Sequence, residues 1–128
     1  MIDADNLKAV NDANRHDAGN QMLKLVAKCV ETELRHTDVL ARYGGDEFVA
    51  LLPEAPAARA LEVAQRIIKA VAGTPVEYEG KRIDISVSIG VASYPDDGRS
   101  IDTIQGRADR AMYLAKEQGR NRVVKFTA

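Results

Sequence analysis

Val39-Leu40-Ala41-Arg42-Tyr43-Gly44-Gly45-Asp46-Glu47-Phe48-Val49-Ala50-Leu51-Leu52 is the stretch on which the fold turns. Two β-prone runs, 39–43 and 48–52, flank Gly44-Gly45-Asp46-Glu47, so the segment reads as a β-hairpin with a tight, glycine-led turn. Around it lie three stretches of helical periodicity. In 21–35 the stripe is Met22, Leu25, Val26, Cys29, Val30 and Leu34. In 57–72 it is Ala60, Leu61, Ala64, Ile67, Ile68 and Val71. In 101–118 it is Ile101, Ile104, Ala108, Ala111, Met112 and Ala115. Ser100 is set to cap the start of this last helix, and Gly119 to end it in a left-handed conformation. Ile83, Ile85, Val87, Ile89 and Val91 alternate with mostly polar residues, as in a strand with one buried face. Glu79-Gly80 turns a shorter strand, 76–78, into it, and 122–126 reads as a final edge strand. Met1-Ile2-Asp3 looks like the tail of a strand, followed by the segment 7–14. Helices interleaved with a mixed-order sheet predict an α/β domain, an α+β sandwich.

Composition narrows what such a domain does. The chain has 128 residues, enough for one core and not for two. Eighteen Lys+Arg against nineteen Asp+Glu leave a charge of −1, so no basic field suits nucleic acid. No tryptophan and 5% aromatics leave a stacking platform for single strands poorly supplied. The single cysteine excludes a disulfide framework and a multi-cysteine zinc site. No apolar run is long enough to span a bilayer, and Met1-Ile2-Asp3-Ala4-Asp5 is acidic where a signal peptide is basic. A reducing, cytoplasmic setting is expected.

Asp3 and Asp5 stand two apart, and Asp46 and Glu47 sit on the Gly-Gly turn. Four carboxylates at strand ends invite a reading as ligands of a hard cation such as Mg²⁺, which shares its oxygens with substrate phosphates. Exposed turns are rich in the same residues, and either motif alone favours that plainer explanation. Neither a P-loop nor a dinucleotide fingerprint is present, the EF-hand pattern fails at Leu7, and Ser86 and Ser88 lack a nucleophile elbow. Lys116-Glu117-Gln118-Gly119-Arg120 either complements a helix dipole or clamps a phosphate between Lys116 and Arg120.

Taken together, Arg42-Tyr43-Gly44-Gly45-Asp46-Glu47-Phe48, Asp3-Ala4-Asp5-Asn6-Leu7-Lys8, Asn11-Asp12, His16-Asp17-Ala18-Gly19-Asn20, Ser86-Val87-Ser88-Ile89-Gly90, Ala108-Asp109 and Met112-Tyr113-Leu114-Ala115-Lys116 with Gly119-Arg120-Asn121 resemble the blocks of the GGDEF family. The resemblance covers essentially the whole chain, in the right order. It implies a nucleotide-cyclase or polymerase-palm-like fold, a central and mainly antiparallel sheet flanked by helices. It further implies a diguanylate cyclase that condenses two GTP into cyclic di-GMP and pyrophosphate, using Mg²⁺ (or Mn²⁺). On that resemblance Asp3 and Asp46, with the Ala4 carbonyl, hold metal, and Glu47 is a second acid there. Asp46 or Glu47 helps deprotonate the attacking hydroxyl, and Gly44 and Gly45 let backbone approach the phosphates. Lys116 and Arg120 hold the β- and γ-phosphates, Leu7 and Lys8 add backbone amides, and Asn11, His16 and Asn20 line the nucleotide and guanine pocket. One domain holds one GTP, so a homodimer is implied for catalysis. Arg35-His36-Thr37-Asp38 has the spacing of the family's RxxD inhibitory site, where Arg35, Asp38 and Arg66 would grip cyclic di-GMP.

Four departures set further expectations. Asn20 stands where the family usually has Asp, which removes one acceptor for guanine. Leu7 replaces a usual Phe, and Arg15 a common Gly. The family's leading Asp-x-Leu-Thr-x-Leu-x-Asn-Arg motif, a helix and most of the first strand are not in the sequence, so residues 1–128 are expected to be one N-terminally incomplete domain, with sensory or phosphodiesterase domains attached in a longer protein for which a membrane anchor is compatible. Two functions therefore stand side by side: the cyclase, or a catalytically weak module that binds GTP or cyclic di-GMP and regulates an attached domain.

Overall fold

A computed structural model describes residues 1–14 and 16–128; the side chain of His16 is also outside the description. The elements run β1 (Ile2–Ala4), α1 (Leu7–Ala13), α2 (His16–Glu33), β2 (Val39–Arg42), β3 (Glu47–Leu51) and α3 (Ala57–Ala72). Then come β4 (Val76–Tyr78), β5 (Lys81–Ile83), β6 (Val87–Val91), α4 (Ile101–Glu117) and β7 (Arg122–Lys125). Five strands form one sheet in the order β2-β3-β1-β6-β7, and β4 and β5 form a separate ribbon. Every ladder is antiparallel except β6–β7, so the sheet is mainly antiparallel and flanked by helices, as expected.

The hairpin forms as read, with Val39 opposite Leu51 and Arg42 opposite Phe48. Ser100 caps α4 by accepting the Thr103 N–H at 3.2 Å. Gly119 takes φ 121° beyond the helix, and Glu79 and Gly80 both take positive φ between β4 and β5.

Two expectations are corrected. The helix expected over 21–35 begins five residues earlier, because His16-Asp17-Ala18-Gly19-Asn20 forms a polar first turn with no stripe to betray it. It stops at Glu33, where the chain turns out of the helix: Arg35 N–H donates to Asp38 Oδ2 at 2.8 Å and Asp38 N–H to the Arg35 carbonyl at 2.9 Å. The single strand read from 83 to 91 is two strands in different sheets, and β6 is buried on both faces rather than one. Val87, Ile89 and Val91 enter the main core beneath α2 and α3. The intervening Gly90 lies against the backbone of α4, and Ser88 is fully buried.

That two-faced burial positions the site. Side chains alternate along a strand, so Ile2 and Ala4 of β1, with Phe48 of β3, join the main core. Asp3 and Glu47 consequently point to the other face, the one α4 covers with Ala108 and Met112. No helix among the described residues is long and apolar enough to cross a membrane.

Candidate active site

Asp3 and Glu47 are directly opposed in the β1–β3 ladder. Directly opposed residues on one face have neighbouring side chains, and Asp46, one residue earlier on the turn, closes the group. Carboxylate oxygens of Asp3, Asp46 and Glu47 lie within 4.8 Å of one another. The turn that carries two of them is tied from several sides. Ala4 N–H donates to the Asp46 carbonyl at 2.9 Å, and the N–H groups of Tyr43 and Gly44 share the Glu47 carbonyl at 2.8 and 3.3 Å. Arg42 reaches forward over the turn, Nε to the Gly44 carbonyl at 3.2 Å and Nη2 to the Gly45 carbonyl at 2.7 Å. Neither glycine uses a positive φ. A Cβ on Gly45 would meet no atom within 4 Å, and one on Gly44 only the Glu47 side chain at 3.5 Å. Nothing inside the domain therefore requires glycine at either position; the turn is open on its outer side.

Two of these acids, Asp3 and Glu47, have raised proton affinity. Asp3 is 5% exposed, and burial pushes its pKa up to about 7; Lys116 opposes that rise, while Asp46 and Glu47 add to it. Glu47 is also raised, first by burial and then by the charges of Asp109 and Asp46. Lys116 Nζ lies 3.2 Å from Asp3 Oδ1, yet that buried oxygen receives no aligned hydrogen bond. A converging set of hard oxygen donors, one of them buried and unsatisfied, matches what Mg²⁺ or Mn²⁺ takes from a protein.

Asp5, grouped with these acids by spacing, is elsewhere. Its carboxylate is not one of the three in the cluster and accepts from Ser86 Oγ at 2.7 Å, Ser88 Oγ at 2.6 Å and Asn121 N–H at 3.1 Å. Lys116 Nζ stands 4.0 Å from it, between the two aspartates. Arg120 follows Gly119 on the exposed turn beyond α4, with φ 64°.

The nucleotide-pocket candidates meet where α1 packs on α2. Asn11 Oδ1 accepts the Gly19 N–H at 2.9 Å, and Gly19 has no room for a Cβ beside the Asn11 amide. Asn20 is exposed on the next position. Leu7 and Lys8 begin α1, whose N-cap Asn6 makes no side-chain capping bond. Of the predicted pocket residues, His16 contributes only its place at the start of α2, and Arg15 is outside the described residues.

Arg35 holds Asp38 at 3.5 Å and the Pro53 carbonyl at 3.1 Å. Arg66 does not join that pair; its Nε bonds Glu33 Oε1 at 3.1 Å. Sequence reasoning gave no role to Arg42, Asp109, Glu33 or the two serines. Arg42 acts on carbonyls two and three residues ahead, while the others are identified only by partners distant in sequence.

The mainly antiparallel sheet thus carries three clustered carboxylates at a glycine turn with a lysine against them, a set of groups suited to a cation and an anion side by side. The family model described as "Diguanylate cyclase, GGDEF domain" matches residues 1–122. The chain belongs to the GGDEF family. It is 46% identical over 123 residues to Diguanylate cyclase A of Treponema denticola, which covers 96% of this chain and 33% of that protein. The crystal structure of the GGDEF domain of YfiN (TpbB) from Pseudomonas aeruginosa superposes with a TM-score of 0.93 at 37% identity, covering 99% of this chain and 80% of that one. The GGDEF domain of DgcB from Caulobacter crescentus, solved in complex with c-di-GMP, gives a TM-score of 0.89 at 30% identity, covering 97% and 74%. The chain spans a third or less of the length of the first curated relatives it matches.

Proposed function

We propose that this domain is a diguanylate cyclase, joining two GTP into cyclic di-GMP with release of pyrophosphate. The observation that carries the reading is the trio Asp3, Asp46 and Glu47, oxygens within 4.8 Å, at the mouth of an open glycine turn with Lys116 beside it. Asp3, Asp46 and Glu47, with the Ala4 carbonyl, are the groups to hold Mg²⁺ or Mn²⁺. When bound, such a cation neutralises phosphate charge and polarises the attacking oxygen.

The chain's own residues do the rest, which in phosphoryl transfer is mostly positioning and charge. Lys116 leaves Asp3 for the β- and γ-phosphates, with Arg120 on their other side and the first amides of α1, at Leu7 and Lys8, below. The bare backbone of Gly44 and Gly45 admits the phosphates where a side chain would obstruct. Glu47, whose proton affinity is already raised, takes the proton of the attacking 3′-hydroxyl, with Asp46 as the neighbouring acid. Asn11, oriented by Gly19, and Asn20 take the guanine, and the family resemblance assigns His16 to the same pocket. Two such domains meet about a two-fold axis so that each hydroxyl attacks the other GTP.

Arg35 and Asp38, with Arg66 nearby in the chain's fold, form a product-inhibition site; the c-di-GMP complex of the related DgcB domain supports a product-binding surface in this family. Their present pairing on each other and on Glu33 is what product would have to displace. GTP as substrate fits a cytoplasmic setting, and the relative named as a bifunctional diguanylate cyclase/cyclic di-GMP phosphodiesterase, MucR of Pseudomonas aeruginosa, supports attached sensory or phosphodiesterase domains. Asn20 favours a second reading, a weakly catalytic module that binds nucleotide and regulates its neighbours.

Mg²⁺-dependent GTP turnover, followed in the unaltered chain beside Asp46→Ala and Arg35→Ala, tests the proposal. Turnover abolished by the first change and freed from inhibition by added cyclic di-GMP in the second is the expected result. Turnover by the unaltered chain that survives Asp46→Ala contradicts the assignment of the site.

A further inference from the structure

We propose that Asp5 is a positioning residue for the phosphate grip, fixing the end of α4 and the turn after it so that Lys116 and Arg120 address one anion. This rests on the cyclase reading above and goes beyond its site residues. Asp5 is 2% exposed and accepts three hydrogen bonds from two distant segments: the hydroxyls of Ser86 and Ser88, and the backbone N–H of Asn121. A carboxylate is an acceptor only, so three donors converging on it are all satisfied without compromise. Burying its charge is costly unless it is bonded and faces a cation. The nearest cation is Lys116, at 4.0 Å.

The second observation lies in the turn itself. Gly119, Arg120 and Asn121 all have positive φ, 121°, 64° and 51°. Two successive non-glycine residues in the left-handed region persist only where the surroundings hold them. Here the Arg120 N–H bonds the Ala115 carbonyl at 3.0 Å, the Arg122 Nε bonds the Arg120 carbonyl at 3.0 Å, and the Asn121 N–H is held by Asp5. Arg120 is therefore pinned on both sides, and the outer pin is Asp5. One buried side chain thus touches both the residue that carries an ammonium to the site and the turn that presents a guanidinium.

Asp5→Asn separates this role from simple packing. The amide keeps the shape, and the serine hydroxyls can rotate to suit it. Whichever way it lies, however, its NH₂ faces either the Asn121 N–H or the Lys116 ammonium. Isothermal titration with the α,β-methylene analogue of GTP, which cannot be cleaved at the reacting bond, and with GMP gives the readout, both in Mg²⁺. The analogue should bind about tenfold more weakly, GMP within about twofold of the unaltered chain, and the melting temperature should stay close to it. In an Arg120→Ala background the same change should add less than about threefold, because the grip it positions is already broken. Ser86→Ala, which removes a single donor, should weaken the analogue in the same direction by less, and carries the test if Asp5→Asn does not fold. Equal losses for the analogue and GMP, full additivity with Arg120→Ala, or no loss at all would overturn the positioning role and leave the cyclase reading intact. An unaltered chain that binds no analogue overturns both.

Discussion

Gly90→Ala is a change of one methyl group far from the carboxylates, and it tests how the sheet sets the site. Gly90 lies on the face of β6 that α4 covers. A Cβ there would fall inside contact distance of the Ala108 carbonyl oxygen and the Met112 nitrogen, and 2.9 Å from Met112 Cα. All three are backbone atoms, so no rotamer change relieves the overlap; the helix must recede by about an ångström. Overpacking of this kind costs about 1–3 kcal/mol, and an obstacle made of backbone belongs at the upper end. For a chain of this size about 3 kcal/mol corresponds to a fall of roughly 10 °C in melting temperature. Lys116 follows Met112 by one helical turn, so the same shift withdraws the ammonium from Asp3 and weakens GTP binding. Gly106→Ala is the matched control. It lies on the exposed side of α4, where a Cβ meets nothing within 4 Å, and alanine favours the helix by about 1 kcal/mol. Circular dichroism melts and GTP titrations of the two variants should move in opposite directions in stability. A Gly90→Ala protein with an unchanged melt and unchanged GTP affinity would refute the packing of α4 on β6 that this reasoning requires.

Other consequences follow from the same geometry. Because burial raises Asp3 from 3.8 to about 7, the folded state holds a proton that the unfolded chain has lost throughout that interval. Metal-free stability therefore falls as pH rises from about 4 to 7. In chelator-treated samples the melting temperature should drop by a few degrees between pH 4.5 and 6, below the interval from about 6 to 8 in which the buried Met1 ammonium, its pKa lowered to about 6, adds stability with rising pH, and Asp3→Asn should remove most of that drop; an equal drop in the variant contradicts the burial of this acid. Gly19→Ala should expel the Asn11 amide from its hydrogen bond and weaken GTP about tenfold, with titration of GTP against ATP showing reduced discrimination; unaltered affinity would separate Asn11 from the base. Asn20→Asp restores a two-oxygen acceptor, so GTP affinity should improve by about 1–3 kcal/mol, and an unchanged dissociation constant would show that Asn20 does not meet the guanine.

Much of this molecule is written locally. The hairpin around Gly44 and Gly45, α3 over its whole length, the Ser100 cap and the Gly119 stop depend on residues a few positions apart, where propensity and periodicity act. The errors fall where distant neighbours decide. The polar partners in the alternation of β6 look solvent-facing because serine and glycine are ambiguous in sequence, yet Ser88 is buried against Asp5 and Gly90 against α4. The polar first turn of α2 has no apolar stripe and is recognisable only from its packing on α1. The site divides the same way. Asp3, Asp46, Glu47 and Lys116 were legible from their motifs and do meet. Asp5 carries the same chemistry two residues from Asp3, and only Ser86, Ser88 and Asn121, 81 to 116 positions away, divert it from the cluster. Arg66 pairs with Glu33, a helix-to-helix contact between α3 and α2 that no spacing predicts.

The reaction proposed for this domain yields a cyclic dinucleotide. Mass-spectrometric identification of the products after the chain is incubated with GTP and Mg²⁺, with pyrophosphate quantified alongside, tests it most directly. Cyclic di-GMP with two pyrophosphates released for each molecule formed is the expected result, and none of either from Asp46→Ala. Bound GTP recovered intact, with no cyclic di-GMP under conditions where the domain is folded and metal-loaded, would contradict it.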